Sequence, residues 1–143
     1  MKANITVLGE KETIQKLWLY NQSFNQSAKR IMRTASKMVE QAYKRRAPVG
    51  KTGNLRDSVK AKNIYTLTSG PAATVMPRAT KLGAGSGWHR HFVAYGTQPR
   101  TQRKTGRSTG VMPKNHYYEG AEDAGSAYFN GAMRSEAEKY VVI

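Results

Sequence analysis

From Phe24 to Arg46 apolar side chains recur at spacings of three and four, at Phe24, Ala28, Ile31, Met32, Ala35, Met38, Val39 and Ala42. This pattern constrains the fold more than any other in the chain. A repeat near 3.6 puts these residues on one side of a helix, and that side must lie on something apolar. Lys29, Arg30, Arg33, Lys37 and Lys44 fill the remaining faces. Pro48 ends the element, because the residue before a proline is driven out of the helical region. The Met and Ala side chains of the stripe read as core packing rather than a cofactor box. A shorter helical pattern, Glu10 to Leu19, comes first.

Beyond Pro48 the texture changes to short β-branched and aromatic runs, SVKAKNIYTLT, AATVMP and WHRHFVAYGT, with SGP at 69–71 as the turn between the first two. Residues 80–87, TKLGAGSG, and 98–110, QPRTQRKTGRSTG, hold almost no bulky apolar side chain and are expected to be flexible loops that pack no core. Helical spacing returns from Tyr117 to Tyr140 through Ala121, Ala124, Tyr128, Phe129, Ala132, Met133 and Ala137, with Glu119, Glu122 and Asp123 where a helix dipole favours negative charge. Gly120, Gly125 and Gly131 weaken that helix by about 1 kcal/mol each, so it needs a surface to hold it. The order predicts an α+β fold: an antiparallel sheet of about three to five strands with a long N-terminal helix and a C-terminal helix packed on it. At 143 residues the expectation is one domain spanning 1–143.

The formal charge of +15 is unevenly placed. Between Lys29 and Lys114, 19 lysines and arginines face only Glu40 and Asp57. Such a field attracts polyanions, whether nucleic acid or an acidic protein face. The absence of cysteine excludes disulfides and thiolate zinc sites. The N-terminus carries no secretory apolar run and nowhere do about 18 consecutive apolar residues occur, so a soluble protein of a reducing compartment, without a membrane partner, is expected.

The stretch KRRAPVGKTGNLRDSV at 44–59 contains GKT, the end of a phosphate-binding loop. The motif requires a glycine five positions before Gly50, but Arg45 stands there, and the surrounding order is helix then strand rather than strand then helix. The stretch reads instead as a junction. Gly50 and Gly53 supply positive φ, Asn54 and Asp57 cap the turn, Leu55 pins it to the core, Val59 starts the sheet, and Arg46 and Arg56 pair with Asp57 or a neighbouring subunit. His89 and His91 fall on one face of a predicted strand, with His116 as a conceivable third metal ligand, but no carboxylate is nearby in sequence. Ser86 lacks the leading glycine of a nucleophile elbow, and most carboxylates sit on one C-terminal helix. The expectation is no enzyme, no metal and no cofactor.

The order of motifs resembles the tailed-bacteriophage neck family, also described as head-tail joining or tail-completion proteins, over roughly residues 24 to 140. Arg46, Ala47, Pro48, Thr52, Gly53, Leu55, Arg56 and Ser58 match its R-A-P-x-x-T-G-x-L-R-x-S element. Tyr95, Gly96 and Thr97 match E-[FY]-G-T, with Ala94 where the family has glutamate. Met112, Pro113, Tyr117, Tyr118 and Ala121 match a late proline and aromatic segment. The resemblance implies a structural virion protein, assembled in the host bacterial cytoplasm. It implies a homo-oligomeric ring in the neck joining portal or connector to tail, with genomic DNA passing through the lumen without sequence specificity. Its partners would be other neck, connector and tail proteins. Arg100, Arg103, Lys104 and Arg107 are the candidates for a DNA-facing or partner-facing basic loop, and Arg46, Pro48, Gly50, Thr52, Gly53, Leu55, Arg56 and Ser58 for a structural turn. A small basic nucleic-acid-binding protein and a tail-terminator ring remain open as alternatives, and a metal-dependent nuclease is a third, weaker one.

Overall fold

The computed structural model describes residues 10–66, 70–79 and 85–140. The chain is α+β, in the order α1 (Glu10–Tyr20), α2 (Gln22–Arg46), α3 (Asn54–Ser58), β1 (Val59–Thr66), β2 (Gly70–Pro77), α4 (Arg90–Tyr95), β3 (Arg100–Thr101), β4 (Ser108–Gly110) and α5 (Asp123–Glu138). Strand content is smaller than the sequence suggests. Two two-stranded sheets, β1 with β2 and β3 with β4, stand in place of one sheet of three to five strands among the described residues. The expected third strand, WHRHFVAYGT, is largely the helix α4. The turn expected at 69–71 lies partly outside the described residues.

By contact the chain forms two compact units. Of the described residues, the first comprises those up to Ala42, those within Ala61–Val75 and those from Gly120 onward; the second comprises those within Tyr43–Lys60 and Met76–Glu119.

In the first unit, α2 begins where Asn21 Oδ1 accepts the backbone N–H of Phe24 at 2.9 Å, a side-chain cap that satisfies one orphan donor. Its buried line is Phe24, Ala28, Met32, Ala35, Ser36, Val39 and Ala42. Met38 departs from the expected stripe and is 36% exposed, because it lies about 100° around the helix from Val39, off the center of that line. Ser36 takes a core position instead. Its hydroxyl donates to the Arg33 carbonyl at 3.1 Å and lies 2.9 Å from Asn63 Oδ1, so the buried polar group is satisfied. On β1, Lys60, Lys62 and Ile64 face outward while Ala61, Asn63 and Tyr65 are half-buried, the period of two a strand requires. The Ala61 N–H donates to Glu40 Oε2 at 2.9 Å, tying strand to helix. The core comprises Trp18, Phe24, Ala28, Met32, Ala35, Ala73, Phe129 and Met133. Tyr140 meets Phe24 edge-on at 5.7 Å.

The last helix starts six residues later than its apolar spacing predicts. Residues 117–122 form turns, with Gly120 at φ +68°, and only Asp123 of the three expected acids lies in the first turn of α5. Gly125 is buried against α2, and a Cβ placed there would stand 2.5 Å from the Ala35 carbonyl oxygen and 2.6 Å from a Val39 methyl. The glycine is what lets the two helices approach so closely.

Candidate functional site

The second unit holds the three motifs that the sequence singled out, apart from Ala121 at the end of the third. Its core is Ala47, Leu55, Ala94 and Tyr117, with Tyr43, Val93 and Tyr118 packed on it. Tyr117 meets Tyr43 edge-on at 5.5 Å and Tyr118 at 5.7 Å. Burial, followed by the proximity of Tyr117, holds the Tyr43 phenol well above its ordinary pKa, and burial also raises Tyr117.

The junction after α2 is built much as its residues suggest. The Ala47 N–H bonds the Tyr43 carbonyl at 2.9 Å, and α2 stops before Pro48. Gly53, at φ 63° and ψ 3°, reverses the chain in a left-handed conformation that a branched side chain resists. Its N–H donates to the Gly50 carbonyl at 3.1 Å and its carbonyl accepts from Asp57 N at 3.0 Å. Gly50, against expectation, is not at positive φ, since one left-handed residue completes the reversal. Leu55 and Ser58 are buried, and Ser58 Oγ donates to the Leu55 carbonyl at 2.7 Å. No side chain caps α3. Asn54 Oδ1 instead accepts the Gly85 N–H at 3.1 Å, and Asp57 pairs with Arg56 Nε at 3.1 Å. Arg46 donates to the Glu119 carbonyl. Thr52 is exposed.

α4 corrects the strand reading of the second motif. Short apolar runs are ambiguous between strand and helix, and here the i, i+4 pair of Trp88 and Phe92 brings their rings to 6.2 Å. His89 and His91 therefore do not share a strand face: His89 occupies the N-cap position of α4 without a side-chain capping bond, His91 lies in its first turn beside Phe92 at 4.0 Å, and His116 is bound to Glu119. Ala94, where the resemblance has glutamate, is buried in the core of this unit.

The glycine and threonine after α4 form a clasp that sequence reasoning did not foresee. The Thr97 N–H donates to the Met112 carbonyl at 3.0 Å, and the Met112 N–H donates to Thr97 Oγ1 at 3.0 Å. Gly96 has φ +75°, and a Cβ there would stand 2.8 Å from the same Met112 oxygen. The second motif thus holds the third. Nothing in their spacing of 15 residues signals this, apart from their joint appearance in one family pattern.

Between the two sides of the clasp the chain runs out and back. β3 and β4 pair antiparallel, Arg100 with Gly110 and Thr101 with Ser108, with an irregular register between them. The tip is closed by Gln102 N to the Arg107 carbonyl at 2.8 Å and Gly106 N to the Gln102 carbonyl at 2.8 Å. The expected loop is therefore a hairpin arm, and, as expected, it packs no core: every residue from Gln98 to His116 is exposed. Arg100, Arg103, Lys104 and Arg107 all lie on it. Of the expected loop at 80–87, residues 80–84 lie outside the described residues.

Beside the clasp lies an apolar hollow of about 360 Å³ where the three motifs converge: Pro48, Thr52 and Leu55 from the first, Val93 from α4, and Met112 and Pro113 from the third line it, among others. Apolar side chains on this unit remain exposed, Val49 at 59%, Val111 at 58% and Tyr95 at 71%. The unit also carries 14 of the 24 lysines and arginines but only Asp57 and Glu119 of the nine acids. Among the described residues no group of three histidine or carboxylate side chains is placed to hold a metal ion. No helix is long and apolar enough to cross a membrane, again among the described residues.

Compared with known proteins, residues 11–128 match the family model described as "Bacteriophage HK97-gp10, putative tail-component". No curated protein and no solved structure matches the chain significantly.

Proposed function

Because the chain belongs to the HK97-gp10-like family of bacteriophage tail components, and is by that membership a structural protein of the virion, we propose that it forms a homo-oligomeric ring in the neck. The ring joins portal or connector to tail, surrounds the DNA path, and has no catalytic role.

The observation that carries this reading is the second unit's surface. Val49, Val111 and Tyr95 are each more than half exposed, and the apolar hollow sits on the same unit. Large apolar side chains left in water on so basic a unit favour burial against other proteins. A ring supplies that burial repeatedly, since a head-to-tail contact that closes uses two different patches of one chain. Assembly takes place in the host cytoplasm, with the other neck, connector and tail proteins as neighbours.

Electron microscopy of particles made without this protein tests the proposal. Filled heads beside separate tails are the expected outcome. Intact tailed particles would overturn it, and joined tails of uncontrolled length would assign the chain to the tail terminator instead.

A further inference from the structure

We infer that the hairpin arm is a phosphate-binding element for duplex DNA, contacting the backbone without reading the bases. Arg100, Arg103, Lys104 and Arg107 all lie on a segment in which every residue is exposed. None of the four forms an ion pair among the described residues, and the sequence has no carboxylate between Asp57 and Glu119 to compete for them.

The rest of the arm excludes the other occupants. From Gln98 to Gly110 the only apolar side chain is Pro99, so the outer part of the arm, beyond Val111 at its base, has almost nothing to place in the core of a protein interface, where aromatic residues are enriched. It has no aromatic residue from Gly96 to Asn115, so it offers no platform on which unpaired bases could stack. Of the two amides that suit an adenine edge, Gln98 and Gln102, the second is engaged, accepting the Thr105 hydroxyl at 2.7 Å, and the arginines, which suit a guanine edge, are separated from plain charge by the lysine variant below. What is left is a line of cations on a backbone fixed by its own hydrogen bonds, which suits a regularly spaced polyanion. The proposed ring bears on this only through the arm's place in the virion, because binding is measurable on the protein outside particles.

The test is a salt titration of binding between the full chain and a mixed-sequence duplex. Each phosphate neutralised contributes about −0.9 to the slope of log K against log salt. Four arm contacts make the wild-type slope steeper by about 3 to 4, or roughly 150-fold more affinity lost between 50 and 200 mM salt than in the variant R100Q/R103Q/K104Q/R107Q. The variant R100K/R103K/R107K keeps the wild-type slope, since charge rather than guanidinium geometry is what counts. An unchanged slope in the glutamine variant overturns the inference. So does a glutamine variant that binds DNA normally but is missing from particles, which would assign the arm to an acidic protein. Normal arm-dependent binding by a chain that forms no ring would overturn the ring proposal and leave this inference standing.

Discussion

Two glycines of α5, six residues apart, obey opposite rules. At Gly125 a methyl group would meet the Ala35 carbonyl and the Val39 side chain, and neither backbone can yield without parting α5 from α2. Gly125→Ala is expected to lower stability by about 1–3 kcal/mol, the usual range for overpacking. At Gly131 nothing lies within 4 Å, so Gly131→Ala reduces the conformational entropy lost on forming the helix at no steric cost and raises stability by about 0.5–1 kcal/mol. Denaturant midpoints of the two variants should move in opposite directions. Sequence reading counted both glycines as the same weakness, because only the neighbouring helix distinguishes them. Gly53 was legible: its place after Pro48 in a short junction called for a reversal, and its φ of 63° supplies one. Gly53→Val places a branched side chain in the left-handed region at a cost of about 1–3 kcal/mol, to be read as a fall in melting temperature.

Among the elements, α2 was the most legible, since 25 residues of consistent period and a terminating proline leave little room for another outcome. α4 was the least, because six residues of aromatic and β-branched character suit a strand as well, and only packing on Leu55 and Tyr117 decides the matter. The arm's composition predicts a flexible loop because its side chains bury nothing, yet its backbone still pairs. The Tyr43 and Tyr117 pair predicts a dependence on alkaline pH. Both phenols have pKa values raised in the folded chain, so the fold favours their protonated forms. The stability they contribute is fully present below the ordinary tyrosine value of about 10 and is lost as pH rises from there toward the folded values. Urea unfolding at pH 8 and pH 11 should show this loss, and Tyr43→Phe should reduce it.

At the scale of the molecule, the charge excess read from the sequence concentrates in the second unit, together with its exposed apolar side chains. The hollow could not be read in advance, for it joins residues near position 50 to others near 90 and 112 that only the fold brings together. The clasp has a further consequence. Because Thr97 and Met112 are bonded to each other, the body already holds both ends of the arm in place, and the entropy of closing what lies between changes only slowly with its length. The segment behaves as a replaceable cassette. Exchanging residues 98–111 for a short glycine and asparagine turn should leave the melting temperature of the chain within a few degrees of wild type, so what the arm does can be removed or exchanged without disturbing the scaffold beneath it.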